Sequence, residues 1–319
     1  MQLLVIIVLG LVLVLFGVYA FPIPKASFRV IYSGVPETVV TSLVAFRRSN
    51  PPKILRVGQI AWRYHDTGVG ENVIVFLHGL ASSGDIWFQQ IEALKNRFRC
   101  IAVTYPPLPN LDLLRFGILG VLDREGIAKA HLVGSSMGGY LAQHLAAYHP
   151  ERIRMLVLGN TFPPNDIICR RARMGVKYLP WVPEWAIMAG LRRNSERVLY
   201  PTAGSAELVK AYLYEQTCGV MRKPDLIARC ACLCQAFTPP DIDKLGIPAL
   251  IIEADNDPLV DGELRKMLRA VYPSAAVKTY HQAGHFPYLN QPEKYTQALA
   301  EFLSETRLGA PLAVAATGV

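Results

Sequence analysis

The sequence predicts an α/β fold: a mostly parallel central sheet with helices on both faces and a helical cap, behind an N-terminal transmembrane helix. Three observations carry this. Short β-branched runs alternate with helix-compatible stretches between residues 72 and 158, a pattern that builds parallel sheets covered on both faces. Over 130–140, apolar residues run into Gly134, small residues follow, and a helix-compatible stretch begins. Residues 1–20 carry no charge and, Gln2 apart, no clearly polar side chain.

With 319 residues, 51% of them hydrophobic, the chain can bury one large core or at most two. Repeats and long low-complexity runs are absent from it. The net charge of +8 is spread along the chain rather than striped with aromatics. That excludes a readable nucleic-acid module.

Residues 1–21 come first. At 1.5 Å per residue, about 19 apolar residues cross a hydrocarbon core of roughly 30 Å, so the segment reads as a single-pass anchor. A cleaved signal peptide is the alternative, with Val18-Tyr19-Ala20 as the cleavage site and a secreted domain as its consequence. The lack of a basic leading region and the length of the apolar run speak against it. Residues 22–55 read as a basic juxtamembrane linker. From Phe21 to Arg63, the basic residues Lys25, Arg29, Arg47, Arg48, Lys53, Arg56 and Arg63 face a single acid, Glu37. The positive-inside rule puts this flank and the domain behind it in the cytoplasm, where the same charges can meet anionic lipid.

The main folded body is expected over 56–162 and 238–307. A hairpin spans 54–66, and strands follow at 72–77, 100–104, 130–133 and 154–158. Helices fall at 87–96, at 111–125 (interrupted by glycines) and at 140–148. From 161 to 237 the chain turns aromatic, basic and helical without a clear strand, so 163–237 reads as a cap over the strand ends. Strands resume at 248–253 and 277–281, a helix closes the body at 293–306, and 308–319 reads as a flexible tail. In open α/β sheets ligands bind beyond the carboxyl ends of the strands, where such a cap shapes the pocket. The six cysteines include no CxxC pair. They read as free, mostly buried thiols, and neither a metal nor an organic cofactor is implied.

The stretch Gly134-Ser135-Ser136-Met137-Gly138 fits G-x-S-x-G between a strand and a helix, the setting that gives the motif meaning. The middle serine, Ser136, must sit on a strained turn so that its oxygen projects from the sheet. The helix behind it aims N–H groups at developing negative charge. A nucleophilic serine needs a base and an acid later in the chain. His285 follows Gly284 on a loop and is the candidate base, with His281 as the alternative. His144 and His149 lie on or just after the elbow helix and read as packing or surface residues. In Glu253-Ala254-Asp255-Asn256-Asp257-Pro258, just past a strand, Asp257 is the candidate acid and Asp255 the alternative. Such a run is also an ordinary Asx turn, and the two roles are compatible. The oxyanion donors are then the backbone N–H of Met137 and that of Leu80, in His78-Gly79-Leu80. His78 reads as structural.

Residues 57 to 305 resemble the α/β-hydrolase superfamily. The carriers are His78-Gly79-Leu80, the Ser136 elbow, Asp255-Asn256-Asp257-Pro258 and Gly284-His285-Phe286. Within it, Gly138-Gly139-Tyr140-Leu141-Ala142-Gln143, Leu158-Gly159-Asn160-Thr161-Phe162, Phe286-Pro287-Tyr288-Leu289 and Tyr272-Pro273-Ser274-Ala275 are similar to maspardin-like proteins. That likeness implies a binding or adaptor role and leaves room for a protein partner. His285, which the maspardin pattern lacks, points instead to catalysis. The expectation is a serine hydrolase acting on a carboxylic ester or thioester with an apolar, lipid-like acyl group. A carbon–carbon bond hydrolase or acyltransferase could run on the same residues.

Overall fold

The computed structural model describes residues 1–305. The expected tail and Thr306 at the end of the closing helix lie outside the described residues. Eight strands form one sheet in the order β1-β2-β4-β3-β5-β6-β7-β8. They are β1 (Lys53–Val57), β2 (Ile60–Thr67), β3 (Val73–Leu77), β4 (Arg99–Thr104), β5 (Ala130–Ser135), β6 (Ile153–Gly159), β7 (Ala249–Ala254) and β8 (Ala276–Tyr280). The β1–β2 and β2–β4 pairings are antiparallel, and every other pairing is parallel.

The sheet is covered on both faces, and β3 shows why its residues are all apolar. Val73, Val75 and Leu77 enter one core while Ile74 and Phe76 enter the other. Side chains alternate across a strand, so a central strand between two helical layers has no polar face to offer.

The N-terminal helix α1 (Gln2–Tyr19) is wholly exposed and is long and apolar enough to cross a membrane, as an anchor or as a signal sequence. The basic segment behind it differs from the expected linker. It folds as α2 (Phe28–Ile31) and α3 (Glu37–Ser49) and buries Tyr32, Val35, Leu43 and Phe46 in the second core. Burying such a side chain is worth about 1.5–3 kcal/mol, enough to outweigh the charge repulsion expected from composition. Arg47, counted as one of seven like charges, is neutralised by two acids from elsewhere in the chain.

Helices α4 (Phe88–Leu94), α5 (Leu111–Arg124) and α6 (Met137–Tyr148) follow. The expected break in α5 does not occur, because Gly117 is there for space. A Cβ at Gly117 would enter the indole of Trp62 on β2. Between β6 and β7 the chain is helical: α7 (Asp166–Tyr178), α8 (Glu184–Asn194), α9 (Tyr200–Thr202), α10 (Glu207–Glu215), α11 (Lys223–Leu233) and α12 (Ile242–Leu245). Helices α13 (Gly262–Val271), α14 (Pro287–Asn290) and α15 (Pro292–Glu305) complete the described chain. All six cysteines are free, with Cys100, Cys230 and Cys232 buried.

Candidate active site

Four loops converge beyond the carboxyl ends of β3, β5, β7 and β8. At the end of β5, Ser136 takes φ 55° and ψ −122°, the left-handed side of the map that non-glycine residues rarely occupy. The turn is over-determined. Ser136 N–H donates to Gly159 O at 2.9 Å, and Thr161 Oγ1 donates to Ser136 O at 2.6 Å. A Cβ at Gly138 would strike the Leu77 carbonyl, and one at Gly134 the Gly138 carbonyl, so both flanking glycines are required by close backbone approach. Ser136 is partly exposed while its neighbours on both sides are buried.

Asp257 and His285 are brought together. His285 Nδ1 lies 2.8 Å from Asp257 Oδ2, and both side chains are buried. With a carboxylate at Nδ1, that nitrogen carries the proton and Nε2 is left as the acceptor. The second oxygen of Asp257 accepts from Leu259 N–H at 2.8 Å and Val260 N–H at 3.1 Å. Burial works to raise the Asp257 carboxyl, but the facing imidazole, the Asn160 amide and the Leu259 N–H outweigh it and hold it below the ordinary carboxylate value. Among the described residues no hydrogen bond joins Ser136 to His285. Such contacts are often loose in a free enzyme and tighten with substrate.

The alternatives pair with each other. His281 Nδ1 sits 2.7 Å from Asp255 Oδ2, with side chains 82% and 44% exposed. His144 is buried against Phe237 and Tyr148, and His149 pairs with Glu151.

The loop after β3 faces the elbow: a Cβ at Gly79 would lie 3.3 Å from Ser136 Cβ. The Leu80 and Met137 N–H groups donate to nothing among the described residues. The Leu80 N–H shares a peptide plane with the Gly79 carbonyl, which points the opposite way. That carbonyl is held by His78 Nδ1 at 2.7 Å and by the Ser82 hydroxyl at 3.1 Å. His78 Nε2 accepts the Tyr105 N–H at 3.3 Å, and its ring stacks on Tyr105. Burial first, and Arg229 second, push the His78 imidazole well below its ordinary value. It is a neutral structural histidine.

Sequence reasoning overlooked Asn160 and Arg229. Asn160, directly after β6 with φ 42°, donates from Nδ2 to Asp257 Oδ2 at 2.8 Å and to Gly284 O at 3.2 Å. It therefore ties the acid to the loop that carries His285. A polar residue at the carboxyl end of the strand beside the elbow was the signal for it. Arg229 had no signal, since it is one basic residue among many in the insertion. Among the described residues, no group of three or more His, Cys, Asp or Glu side chains is placed to hold a metal ion.

Residues 74–298 match the model of the "Alpha/beta hydrolase family". A 2-hydroxy-6-oxononadienedioate/2-hydroxy-6-oxononatrienedioate hydrolase from Paraburkholderia phymatum is 27% identical over 76% of this chain and 90% of its own length. Among solved structures, a thermophilic esterase from Thermogutta terrifontis superposes with TM-score 0.62 at 22% identity, over 80% of this chain and 98% of the esterase. A bacterial membrane phospholipase A superposes with TM-score 0.65 at 20% identity, over 95% of this chain and 99% of that one. These three relatives are matched over 90% or more of their own length, and none of them is a maspardin. The narrower likeness read from four short motifs is therefore corrected to the superfamily, whose shared elbow and loop packing those motifs express. The chain belongs to the alpha/beta hydrolase family.

Proposed function

We propose that this protein is a serine hydrolase that cleaves carboxylic ester or thioester bonds of apolar acyl substrates through an acyl-enzyme. Ser136 is the nucleophile. His285 takes its proton through Nε2 and later returns it to the leaving group. Asp257 fixes the tautomer and stabilises the imidazolium. The Leu80 and Met137 N–H groups receive the oxyanion. The observation that carries this reading is the buried His285–Asp257 pair, its acid held ionised by Asn160, Leu259 and Val260, at the strand ends beside a strained serine. A non-catalytic adaptor has no use for such an arrangement.

Helix α1 acts as a single-pass anchor, with the basic flank and the catalytic body on the cytoplasmic side. The substrate class that suits this placement is a membrane-derived ester such as a glycerolipid acyl chain, and the likeness to a membrane phospholipase A supports it. Carbon–carbon bond hydrolysis is the second reading, favoured by the relative from Paraburkholderia phymatum. No cofactor takes part.

A fluorophosphonate probe tests the core of the proposal. Wild-type protein should label, and Ser136→Ala and His285→Ala should not. A well-folded wild type that fails to label would sink the proposal. A chain-length series of esters and thioesters, set beside a vinylogous 1,5-diketone, then separates the two readings. Protease digestion of sealed vesicles tests the orientation, and digestion of the body from the lumenal side alone would reverse it.

A further inference from the structure

Arg229 lies on α11 in the helical insertion, far in sequence from every residue of the triad. It is 4% exposed. Its Nη1 donates to Leu80 O at 2.6 Å and to Ser82 O at 3.1 Å. Among the described residues it forms no ion pair, and its Nε has no partner. A buried guanidinium without a carboxylate is costly. Burial works against its charge, and only the more distant Asp225 and polarisable neighbours work for it. The charge is met by backbone carbonyl dipoles, and those carbonyls belong to the loop that presents Leu80.

The geometry assigns Arg229 as a positioning residue for the oxyanion hole: from the insertion, it holds the 80–82 backbone so that the Leu80 N–H stays aimed at the oxygen attacked by Ser136. The assignment rests on the serine-hydrolase reading. His78 and Ser82 set the peptide plane on one side of Leu80, through the Gly79 carbonyl. Arg229 sets the next plane, through Leu80's own carbonyl. The Leu80 N–H lies in the first plane, and the two planes meet at Leu80 Cα, so with the second also gripped the rotation there that would tilt the N–H away is resisted. The grip on the second plane comes from outside the sheet, so the insertion takes part in the chemistry without touching the reacting atoms. Arg229 also adds a positive charge behind the loop, where charge develops on the substrate oxygen.

The test uses the full-length protein in detergent micelles and follows the burst of p-nitrophenolate from a short-chain p-nitrophenyl ester. Wild-type protein must first show Ser136-dependent acylation. Its absence would refute the serine-hydrolase reading and leave nothing for Arg229 to position. In Arg229→Ala the acylation rate at saturating substrate should fall about 10- to 100-fold, the range expected when an oxyanion donor is misplaced rather than removed. KM should stay within about twofold, since the ester's ground state does not use the donor. Millimolar guanidinium, too dilute to denature, should restore part of the rate, and an equal concentration of ammonium should not. A merely structural arginine predicts no such rescue. A folded Arg229→Ala with the wild-type acylation rate overturns the assignment, and so does a loss that guanidinium leaves untouched. If Arg229→Ala does not fold, Arg229→Gln serves, since it keeps a polar donor at the buried position without the charge or the full reach of the guanidinium. A smaller loss at unchanged KM is then expected, and the wild-type rate would overturn the assignment.

Discussion

Asn160 shows how much of the proposed serine site rests on a residue outside the Ser136, Asp257 and His285 set. Its amide reaches both Asp257 and the Gly284 carbonyl, so one side chain sets the spacing between acid and base. In Asn160→Ala the acid loses a donor that lowers its pKa. A hydrogen bond to a charged group is worth about 1.5–3 kcal/mol, and unfolding in urea should show a loss in that range. The pH dependence has a definite sign. A carboxyl depressed in the folded state contributes stability that is present above its unfolded value of about 3.9 and is lost as pH falls through the folded value. Because Asn160→Ala raises the folded value, the acid-induced loss arises over a narrower pH interval, and less stability is left to lose. Asp257→Asn should keep the fold and lower kcat by about 10⁴-fold, because the imidazole is then held in the wrong tautomer. Steady-state rates with an activated ester, checked against the melting temperature, give that comparison. A loss below tenfold would remove Asp257 from its role.

Among the elements, α3 matters most for what it does to the loop after β3. Arg47 donates to Asp85 at 2.8 Å and makes a paired contact with Glu215 on α10. Tyr32 gives its hydroxyl to the same glutamate, and Tyr212 gives its own to Asp85. Asp85 is buried, which alone would raise its carboxyl, but Arg47, Tyr212 and Ser83 bring it below the ordinary value. Replacing Arg47 by Gln should cost about 3 kcal/mol, because it leaves a buried acid without its counter-charge. The stability that Asp85 contributes holds above the unfolded carboxyl value of about 3.9 and disappears as pH falls through its depressed folded value. Without Arg47 the folded value rises toward the unfolded one, so Asp85 has less stability to lose in acid, and the wild type's advantage over the variant should narrow as pH falls. A melting-temperature series from pH 7 to pH 3, an interval of about 4 units around that value, would show it, and coincident or parallel curves for the two proteins would refute it.

The same element marks the limit of what the sequence discloses. Strands were legible because a strand buried on both faces is largely apolar, as β3 is throughout and as β5 and β7 are apart from His131, Ser135 and Glu253. The elbow was legible because only glycine fits beside it. The α3 segment reads as charge, with apolar residues at Val39, Val40, Leu43 and Phe46 on one side. Its role depends on Asp85 and Glu215, far away in the chain, and composition says nothing of such partners. Gly117 misled for a related reason. Glycine inside a helix usually signals a break, and the Trp62 ring that claims its space is on another element. Arg229 is the extreme case, where only the fold reveals that a basic residue of the insertion meets two carbonyls of the β3 loop.

Taken whole, the molecule has a body on one sheet, an apolar helix at its start, and a basic segment between them that packs like part of the body. Tyr19 donates to Pro180 O at 2.9 Å, Trp185 Nε1 donates to Val18 O at 2.7 Å, and Lys223 reaches Tyr19. The end of α1 is thus seated on the insertion through α7–α8 and α11. The buried Tyr32, Val35, Leu43 and Phe46 set where the chain can be cut. A soluble version that begins at residue 26, after the apolar helix, keeps these side chains and the Arg47 contacts. It should be monodisperse and react with the fluorophosphonate probe. One that begins at residue 56, at the boundary suggested by charge alone, also loses β1 and uncovers the apolar ground on which α3 rests. It should aggregate or elute as a broad peak in size-exclusion chromatography. If the two behave alike, α2 and α3 are dispensable ornaments. If they differ as expected, the segment between α1 and β1 is the first layer of the folded body, and the separable part of the chain ends near residue 25.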